Sequence, residues 1–575
     1  MMNRRISFPI LLLLSMLSSM AVPAHRGVAQ VRQPDGSYVT LQLHGDEWMN
    51  FHTTDDGYSV VKDQLGYYVY AQLNGECLEP THHVAHNMTH RSVSEQKWLE
   101  GVQKYQVPAI SELSMQNKAK EQKRRAAMLN KRRAGQYDYK NFLGLVILVE
   151  FNDRSFSRSD YGEVINDMLN MPNYKGYDNS RYGKFTGSVR DYFVDNSMGE
   201  FEPHFDVVGP VKVNYSQYDP HQMDFVEMIN NDALIEADRT VDFRKYDADQ
   251  DGIVDMVYFV YAGLGSNMVG NDERLVWPHA GYVFFNNDYI TFDDVYMGNY
   301  ACSTELYGTE QGYILDGIGT FCHEFSHVLG LPDLYDTDYE ESGGLSHDPE
   351  IWSLMAGGCY ENYARTPVGY SLYERYSVGF TMPEVINTEG KKRLNPLPLF
   401  NKGYRINTEV ENEFFLLENR QPSLFRWDAY LPGHGLLVFR VDSTNTVMWE
   451  ANIANVNPRH NYFVMIRAGN DSGATDSDPF PGSKNVTELD NFTKPANLLT
   501  WGGKKAQWGL YNIVEQGNVI KFEVRESQEP DVIVHPTIKV RDDNSDRIFY
   551  NLQGQRVILT TKGLLIHNGH KQLKR

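Results

Sequence analysis

The stretch Cys322-His323-Glu324-Phe325-Ser326-His327-Val328-Leu329-Gly330-Leu331-Pro332-Asp333 carries the pattern H-E-x-x-H-x-x-G-x-x-D, the spacing of a catalytic zinc site. Residues four apart lie one above the other on one helix face, so His323 and His327 are placed to offer imidazole nitrogens to a single metal ion. Glu324 falls beside that metal rather than on it. Zinc lowers the pKa of a bound water to roughly 7, and a neighbouring carboxylate then serves as the general base of a hydrolysis. The helix must stop soon after His327 for a third ligand to swing back. Gly330 permits the turn and Pro332 forbids a further helical one, which makes Asp333 the third ligand. Its carboxylate adds negative charge and makes zinc a weaker Lewis acid than a third imidazole would. Chance on an amphipathic helix is the rival reading, and the added Gly and Asp at fixed offsets make it about a hundredfold rarer.

Further on, Ile351-Trp352-Ser353-Leu354-Met355-Ala356-Gly357-Gly358 looks like the Met-turn that runs beneath the zinc of metzincin peptidases. A soft apolar Met there supports the His ligands without binding metal. Together the two runs closely resemble the secreted zinc metalloproteases of the immune inhibitor A type, within the metzincin clan. The segments Gly187-Ser188-Val189-Arg190-Asp191-Tyr192-Phe193, Phe205-Asp206-Val207-Val208-Gly209-Pro210 and Trp277-Pro278-His279, and the stretch from Pro367 to Arg375, resemble the same family. The resemblance runs from residue 140 to residue 525, with a weaker match before it. It implies an endopeptidase acting on proteins or peptides, with zinc on His323, His327 and Asp333 and with Glu324 as base. Asp336 is the rival third ligand, but Asp333 sits at the family spacing. The implied architecture is α+β: a metzincin-like zinc protease catalytic domain with an N-terminal propeptide domain and a C-terminal β-sandwich-like domain. A tyrosine often stabilises the transition state in metzincins, and Tyr360 and Tyr363 are the candidates here.

The composition agrees. The chain of 575 residues is 41% hydrophobic and 13% aromatic, enough for several sizeable cores. A formal net charge of -21 argues against nucleic acid as a partner and for affinity to cations. Arg4 and Arg5, the apolar run Ile10 to Leu17 and the small residues Val22-Pro23-Ala24 read as an export signal over residues 1–24. The run is too short, and too interrupted by Pro9, to span a bilayer of about 20 residues, and no other stretch does so. The mature protein is therefore expected outside the cytoplasm, secreted or at the cell surface.

The resemblance implies that residues 25–135 are a propeptide that keeps the enzyme latent, ending in a basic linker. Strand-like alternations such as Tyr67-Tyr68-Val69-Tyr70-Ala71 are separated by the turn pairs Asp35-Gly36 and Asp56-Gly57. Residues 111–135, with Lys123-Arg124-Arg125 and Lys131-Arg132-Arg133, read as a helical basic linker exposed to trypsin-like cleavage. The chain has four cysteines. Cys77 is a candidate latency thiolate set against an inert thiol, a bridge between Cys302 and Cys359 is the disulfide considered, and Cys322 is expected in the core.

The catalytic unit, 136–385, opens on the near-continuous apolar run Phe142 to Phe151, expected as a buried central strand, followed by helices around Ser188 to Asn196 and Asp224 to Ala237. Asp247-Ala248-Asp249-Gln250-Asp251-Gly252-Ile253-Val254-Asp255 resembles the start of an EF-hand loop. Carboxylates of Asp247, Asp249 and Asp251, the Ile253 carbonyl and Asp255 would gather around a structural calcium. Tyr258 stands where an EF-hand has Glu, and an acidic surface turn is the alternative.

Residues 386–526 read as β-rich, with strands at Glu413 to Arg420, Gly435 to Asp442 and Val519 to Val524. The tail, 527–575, contains Ile548 to Val557 and Lys562 to Ile566 and resembles C-terminal sorting modules of exported bacterial proteins, which implies recognition by export machinery. Two other function classes share these features. A surface binding module with a structural zinc would need no Glu324, and a small-molecule amide hydrolase would need an enclosed pocket rather than a cleft.

Overall fold

The computed structural model describes residues 20–21, 28–45, 50–75, 77–108, 139–177, 184–218, 222–268, 274–283, 290–309, 312–337, 344–469, 473–527, 549–551, 556–557, 563–567 and 570–574. The export signal, apart from Met20 and Ala21, and the basic stretch 111–135 lie outside these residues.

The apolar run Leu143–Glu150 is a strand buried on both faces. It pairs in parallel with Val257–Leu264 on one side and with His204–Lys212 on the other. Val257–Leu264 in turn runs parallel to Asn299–Thr309, whose other neighbours, His279–Tyr282 and Gly312–Leu315, are antiparallel. Parallel strands need covered faces, and alternation along the strands supplies both. Leu145, Ile147, Val149, Phe259 and Tyr261 face one core, which they share with the helix Gln222–Ala237. Val146, Leu148, Tyr258 and Val260 face a second core. Helices Tyr161–Asn170, Val189–Ser197 and Ile318–Val328 fill that core with Met168, Phe193, Phe321 and Phe325. Truncating a fully buried phenylalanine such as Phe325 would cost about 3–5 kcal/mol. The Ile318–Val328 helix lies close against the segment after the Met-turn because Gly319 has no side chain: a Cβ there would stand 1.9 Å from the Cys359 carbonyl oxygen.

Past Phe380 the chain is strand-rich. A five-stranded sheet, with Glu413–Arg420 and Gly435–Asp442 at its centre, and a three-stranded sheet of Gly390–Leu394, Val519–Arg525 and Gly509–Gln516 enclose one apolar cluster. Phe415, Leu417, Leu436 and Val438 point into it. The alternate residues Phe414, Leu416, Leu437 and Phe439 join the same cluster as Phe321 and Phe325 of the zinc-motif helix. The β-rich segment and the segment that carries the Ile318–Val328 helix therefore share a core, and Met1–Ser527 forms one compact unit.

Residues 29–84 form a six-stranded antiparallel meander with neighbours in sequence order. Gly36 and Gly57 take φ of 88° and 91° in its turns, as the Asp-Gly pairs require. The helix Val93–Leu99 packs on the sheet through Leu99 and starts with a reciprocal cap between Ser92 and Glu95. Leu43 of this sheet belongs to the apolar cluster around Phe321 and Phe325.

The second unit, Gln528–Arg575, contains among its described residues the antiparallel strands Phe549–Tyr550, Arg556–Val557, Gly563–His567 and His570–Lys574. The chain as a whole is mixed α/β, with a parallel core to its largest sheet. The disulfide considered from sequence is absent: Cys302 and Cys359 are both buried thiols, and neither Cys77 nor Cys322 forms a bridge. Cys322 is fully buried, as expected. No described helix is long and apolar enough to cross a membrane.

Candidate metal centre

His323 and His327 project from one face of the Ile318–Val328 helix with their Nε2 atoms 3.1 Å apart. Asp333 Oδ1 lies 3.2 Å from the first and 3.3 Å from the second. Three ligands around tetrahedral zinc, with bonds near 2.0–2.1 Å, would stand about 3.3 Å apart. The tautomers make the case sharper. His323 Nδ1 donates to the Leu354 carbonyl at 2.9 Å and His327 Nδ1 to the Leu331 carbonyl at 2.9 Å, which leaves each Nε2 a bare lone pair. Two imidazole lone pairs and a carboxylate oxygen then face one another in a buried space, a repulsive arrangement that a divalent cation resolves. Burial pushes the His327 imidazole down to about 4, against the pull of Asp333. Burial alone would raise the Asp333 carboxyl, but without a metal the imidazoles, when protonated, donate to it and outweigh burial, holding the group at about 2. A neutral His327 beside an ionised Asp333 is the protonation state a metal needs.

The backbone after His327 places the third member. Gly330 takes φ of 101° and donates to the His327 carbonyl, and the Leu331 N–H donates to the Ser326 carbonyl, closing the helix. Leu334 N–H then donates to the Met355 carbonyl at 2.8 Å, so the ligand loop and the Met-turn lie against each other. Met355 is fully buried. Asp336 is also buried, but its Oδ2 accepts from the Ser346 N–H and it stands outside the converging set. Cys77 is exposed and outside that set as well.

Glu324 is fully buried one position after His323. Burial, helped by the charge of Glu324, pushes the pKa of the Tyr258 hydroxyl well above its ordinary value, and the ring stacks on Phe321 with centroids 3.8 Å apart. The two tyrosine candidates differ. The Tyr360 hydroxyl takes a hydrogen bond from Asn267 Nδ2 at 3.3 Å. Tyr363 is 43% exposed and sits in a left-handed turn, where Asn362, Tyr363 and Ala364 have φ of 54°, 57° and 57°.

Two features carried no local sequence signal. Asn452, from the β-rich segment, accepts the Asp333 N–H with its Oδ1 at 2.6 Å and donates Nδ2–H to Asp333 Oδ2 at 2.6 Å. Glu374 Oε1 accepts from Ser353 Oγ and from the Met355 N–H, which fixes the turn carrying the Leu354 carbonyl. Glu374 falls inside the quoted stretch to Arg375, but nothing in its neighbours points to the Met-turn.

In the acidic loop, Asp247, Asp249 and Asp251 bring carboxylate oxygens within 4.8 Å of one another. Asp247 accepts the N–H groups of Asp251 and Gly252, and Asp251 accepts that of Ile253. Asp255 is outside the convergent group, its Oδ2 accepting from the Ala248 N–H at 2.8 Å. Ile253 bridges to Tyr296.

Residues 134–375 match the family described as "Immune inhibitor A peptidase M6, catalytic domain". Among curated proteins, the chain is similar to Immune inhibitor A of Bacillus thuringiensis subsp. alesti, 24% identical over 188 residues, or 31% of this chain. The match covers 25% of the length of that relative. The matched family segment ends at Arg375, and it contains the zinc-motif helix, Asp333 and the Met-turn in the geometry above. The likeness to the immune inhibitor A peptidase M6 catalytic domain is thus carried by residues 134–375, the segment that holds His323, His327 and Asp333.

Proposed function

We propose that the protein is a secreted, zinc-dependent endopeptidase made as a latent precursor. The observation that carries this reading is the convergence of His323 Nε2, His327 Nε2 and Asp333 Oδ1 beside the buried carboxylate of Glu324. These three residues would hold the metal. When bound there, zinc supplies a Lewis acid that acidifies a water and polarises a peptide carbonyl. Glu324 takes the proton from that water and passes it to the nitrogen of the leaving amine. Of the two tyrosine candidates we assign the contact with a substrate oxygen to Tyr363, which is 43% exposed, because the Tyr360 hydroxyl is engaged by Asn267. The match of residues 134–375 to a peptidase family favours proteins and peptides as substrates.

Latency is assigned to the N-terminal region, 25–135. Leu43 of its sheet is buried in the cluster that includes Phe321 and Phe325, and Glu324 and the three metal-facing side chains are at most 1% exposed in the intact chain. Residues 136–385 form the catalytic segment, 386–526 support it, and the tail from 527 is an address read by export machinery. Calcium at Asp247, Asp249 and Asp251 rests on the loop pattern and on the convergence of three carboxylates. Its assigned role is structural, so calcium chelation should lower the melting temperature and restored calcium should raise it; equal melting with and without calcium sinks that assignment.

The deciding experiment compares cleavage of casein by the chain from Gln136 onward with the same chain carrying Glu324→Ala, with zinc content measured on both. Cleavage by the first alone, with about one zinc on each, is the expected result. Zinc on both and cleavage by neither would return the site to a structural role.

A further inference from the structure

Asn452 lies far along the sequence from the zinc motif, just beyond a short helix, Thr446–Glu450, of the β-rich segment. It holds φ of 56° where the chain leaves that helix, and its backbone N–H donates to the Trp449 carbonyl. Asparagine and glycine are the usual residues in that left-handed position, so ending a helix would explain the backbone. It does not explain the side chain. The amide meets Asp333 reciprocally: Oδ1 accepts the Asp333 N–H at 2.6 Å, and Nδ2 donates to Asp333 Oδ2 at 2.6 Å. Because a backbone N–H can only donate, the oxygen of the amide must face it, and the orientation of Asn452 follows from chemistry. With Oδ2 occupied, Oδ1 is the carboxylate oxygen left to face His323 and His327, and it is the one that does.

The surrounding contacts make this a seat rather than a single bond. Thr337 Oγ1 donates to the Asn452 carbonyl at 3.1 Å, and Asn455 Nδ2 donates to the Leu334 carbonyl at 2.8 Å. The loop that carries Asp333 is therefore clamped at residues 333, 334 and 337 by residues 452 and 455. Asn452 and Asp333 are both at most 1% exposed, where an amide-to-carboxylate hydrogen bond is not diluted by water.

We propose that Asn452 is a positioning residue of the metal centre, orienting the Asp333 carboxylate so that Oδ1 alone faces the cation and making the β-rich segment part of the zinc site. This rests on the zinc reading of His323, His327 and Asp333. The two histidines take their orientation from backbone carbonyls within the catalytic segment; the carboxylate takes its orientation from across the chain.

The test uses the full-length chain as wild type, Asn452→Gly, Asn452→Asp and Asp333→Ala, stripped of metal. Zinc affinity is read by competition with a chromophoric chelator, and the melting temperature of each metal-free protein is read alongside. Glycine keeps the left-handed backbone and removes the amide. Aspartate keeps the shape and the acceptor for the Asp333 N–H but sets a carboxylate against Oδ2. Both should hold zinc about 10–100-fold more weakly than wild type while the metal-free proteins melt close to it. Zinc affinity within twofold of wild type in both variants overturns the proposal. So does a loss of affinity matched by collapse of the metal-free fold in both, since Asn452 would then support the fold and not the ligand. Failure of the underlying reading looks different: wild type and Asp333→Ala would bind zinc equally poorly.

Discussion

Glu374 Oε1 receives the Met355 backbone N–H at 3.1 Å, and the same oxygen receives Ser353 Oγ at 2.7 Å. One buried carboxylate at the start of the Leu372–Ser377 helix thus holds the turn whose Leu354 carbonyl orients His323. Its other oxygen accepts the Ser371 N–H in the helix cap. In Glu374→Gln one of these donors must face the amide NH2. The expected cost is about 1–3 kcal/mol of stability, with reduced zinc retention on dialysis. Thermal unfolding and metal analysis of the dialysed variant check both; unchanged zinc content would mean that the Met-turn holds its shape without this contact.

Tyr363 stands on three successive left-handed residues, a conformation that costs about 1–3 kcal/mol per residue unless its surroundings hold it. The Gly319 N–H donates to the Ala364 carbonyl at 2.7 Å and so ties this turn to the zinc-motif helix. If the turn presents Tyr363 to a developing oxyanion, Tyr363→Phe should lower kcat by about 10²–10³ with little change in KM. Tyr360→Phe, whose hydroxyl is engaged by Asn267, should retain most of the activity. Kinetics on one peptide substrate compare the two, and the reverse ranking would assign the role to Tyr360.

Arg420 is fully buried between Asp428, which its Nε contacts at 2.9 Å, and Glu418 at 3.2 Å, and it also donates to the Gly369 carbonyl at 2.9 Å. Arg420→Met would leave two buried carboxylates without their cation. The expected loss is about 3–5 kcal/mol, seen as a fall in the urea midpoint. Arg420→Lys should recover little of it, because an ammonium cannot make the planar pair of bonds to Asp428. Full recovery with lysine would show that charge alone matters there.

His279 is buried, donating Nδ1–H to the Trp277 carbonyl at 2.7 Å and accepting from the Tyr300 hydroxyl at 2.6 Å. Burial pushes its imidazole down to about 4, against an unfolded value near 6.5. Between those values the unfolded chain binds a proton that the folded chain does not, so this contribution is complete above about pH 6.5 and is lost as the pH falls toward 4. It amounts to something on the order of 3 kcal/mol across that interval. His279→Gln should flatten the fall in urea midpoint between pH 7 and pH 4.5, and an undiminished fall would place the acid sensitivity elsewhere.

Much of the site was legible because its chemistry is local. His323, Glu324 and His327 are set by helical periodicity, and Gly330 and Pro332 announce the turn that returns Asp333; the observed φ of 101° at Gly330 is what that reading requires. The buried strand at Leu143–Glu150 and the strands Glu413–Arg420 and Gly435–Asp442 were equally legible, as unbroken apolar runs bounded by polar residues. In the EF-hand-like loop three of the expected carboxylates converge, while Asp255 accepts the Ala248 N–H with its Oδ2. The spacing of Cys302 and Cys359 carried no information about distance, and the two remain thiols.

The amino-acid sequence by itself determined the helix that carries His323, Glu324 and His327, its stop and the strands that would be buried, because periodicity and turn chemistry act over a few residues. Only the tertiary structure decided that Asn452 grips Asp333, that Glu374 grips the Met-turn, that Gly319 must lack a side chain, and that the β-rich segment shares its core with the zinc-motif helix. Those relationships join residues far apart in the chain. Their energies come from desolvated hydrogen bonds and close packing, which exist only once the whole chain has closed around them.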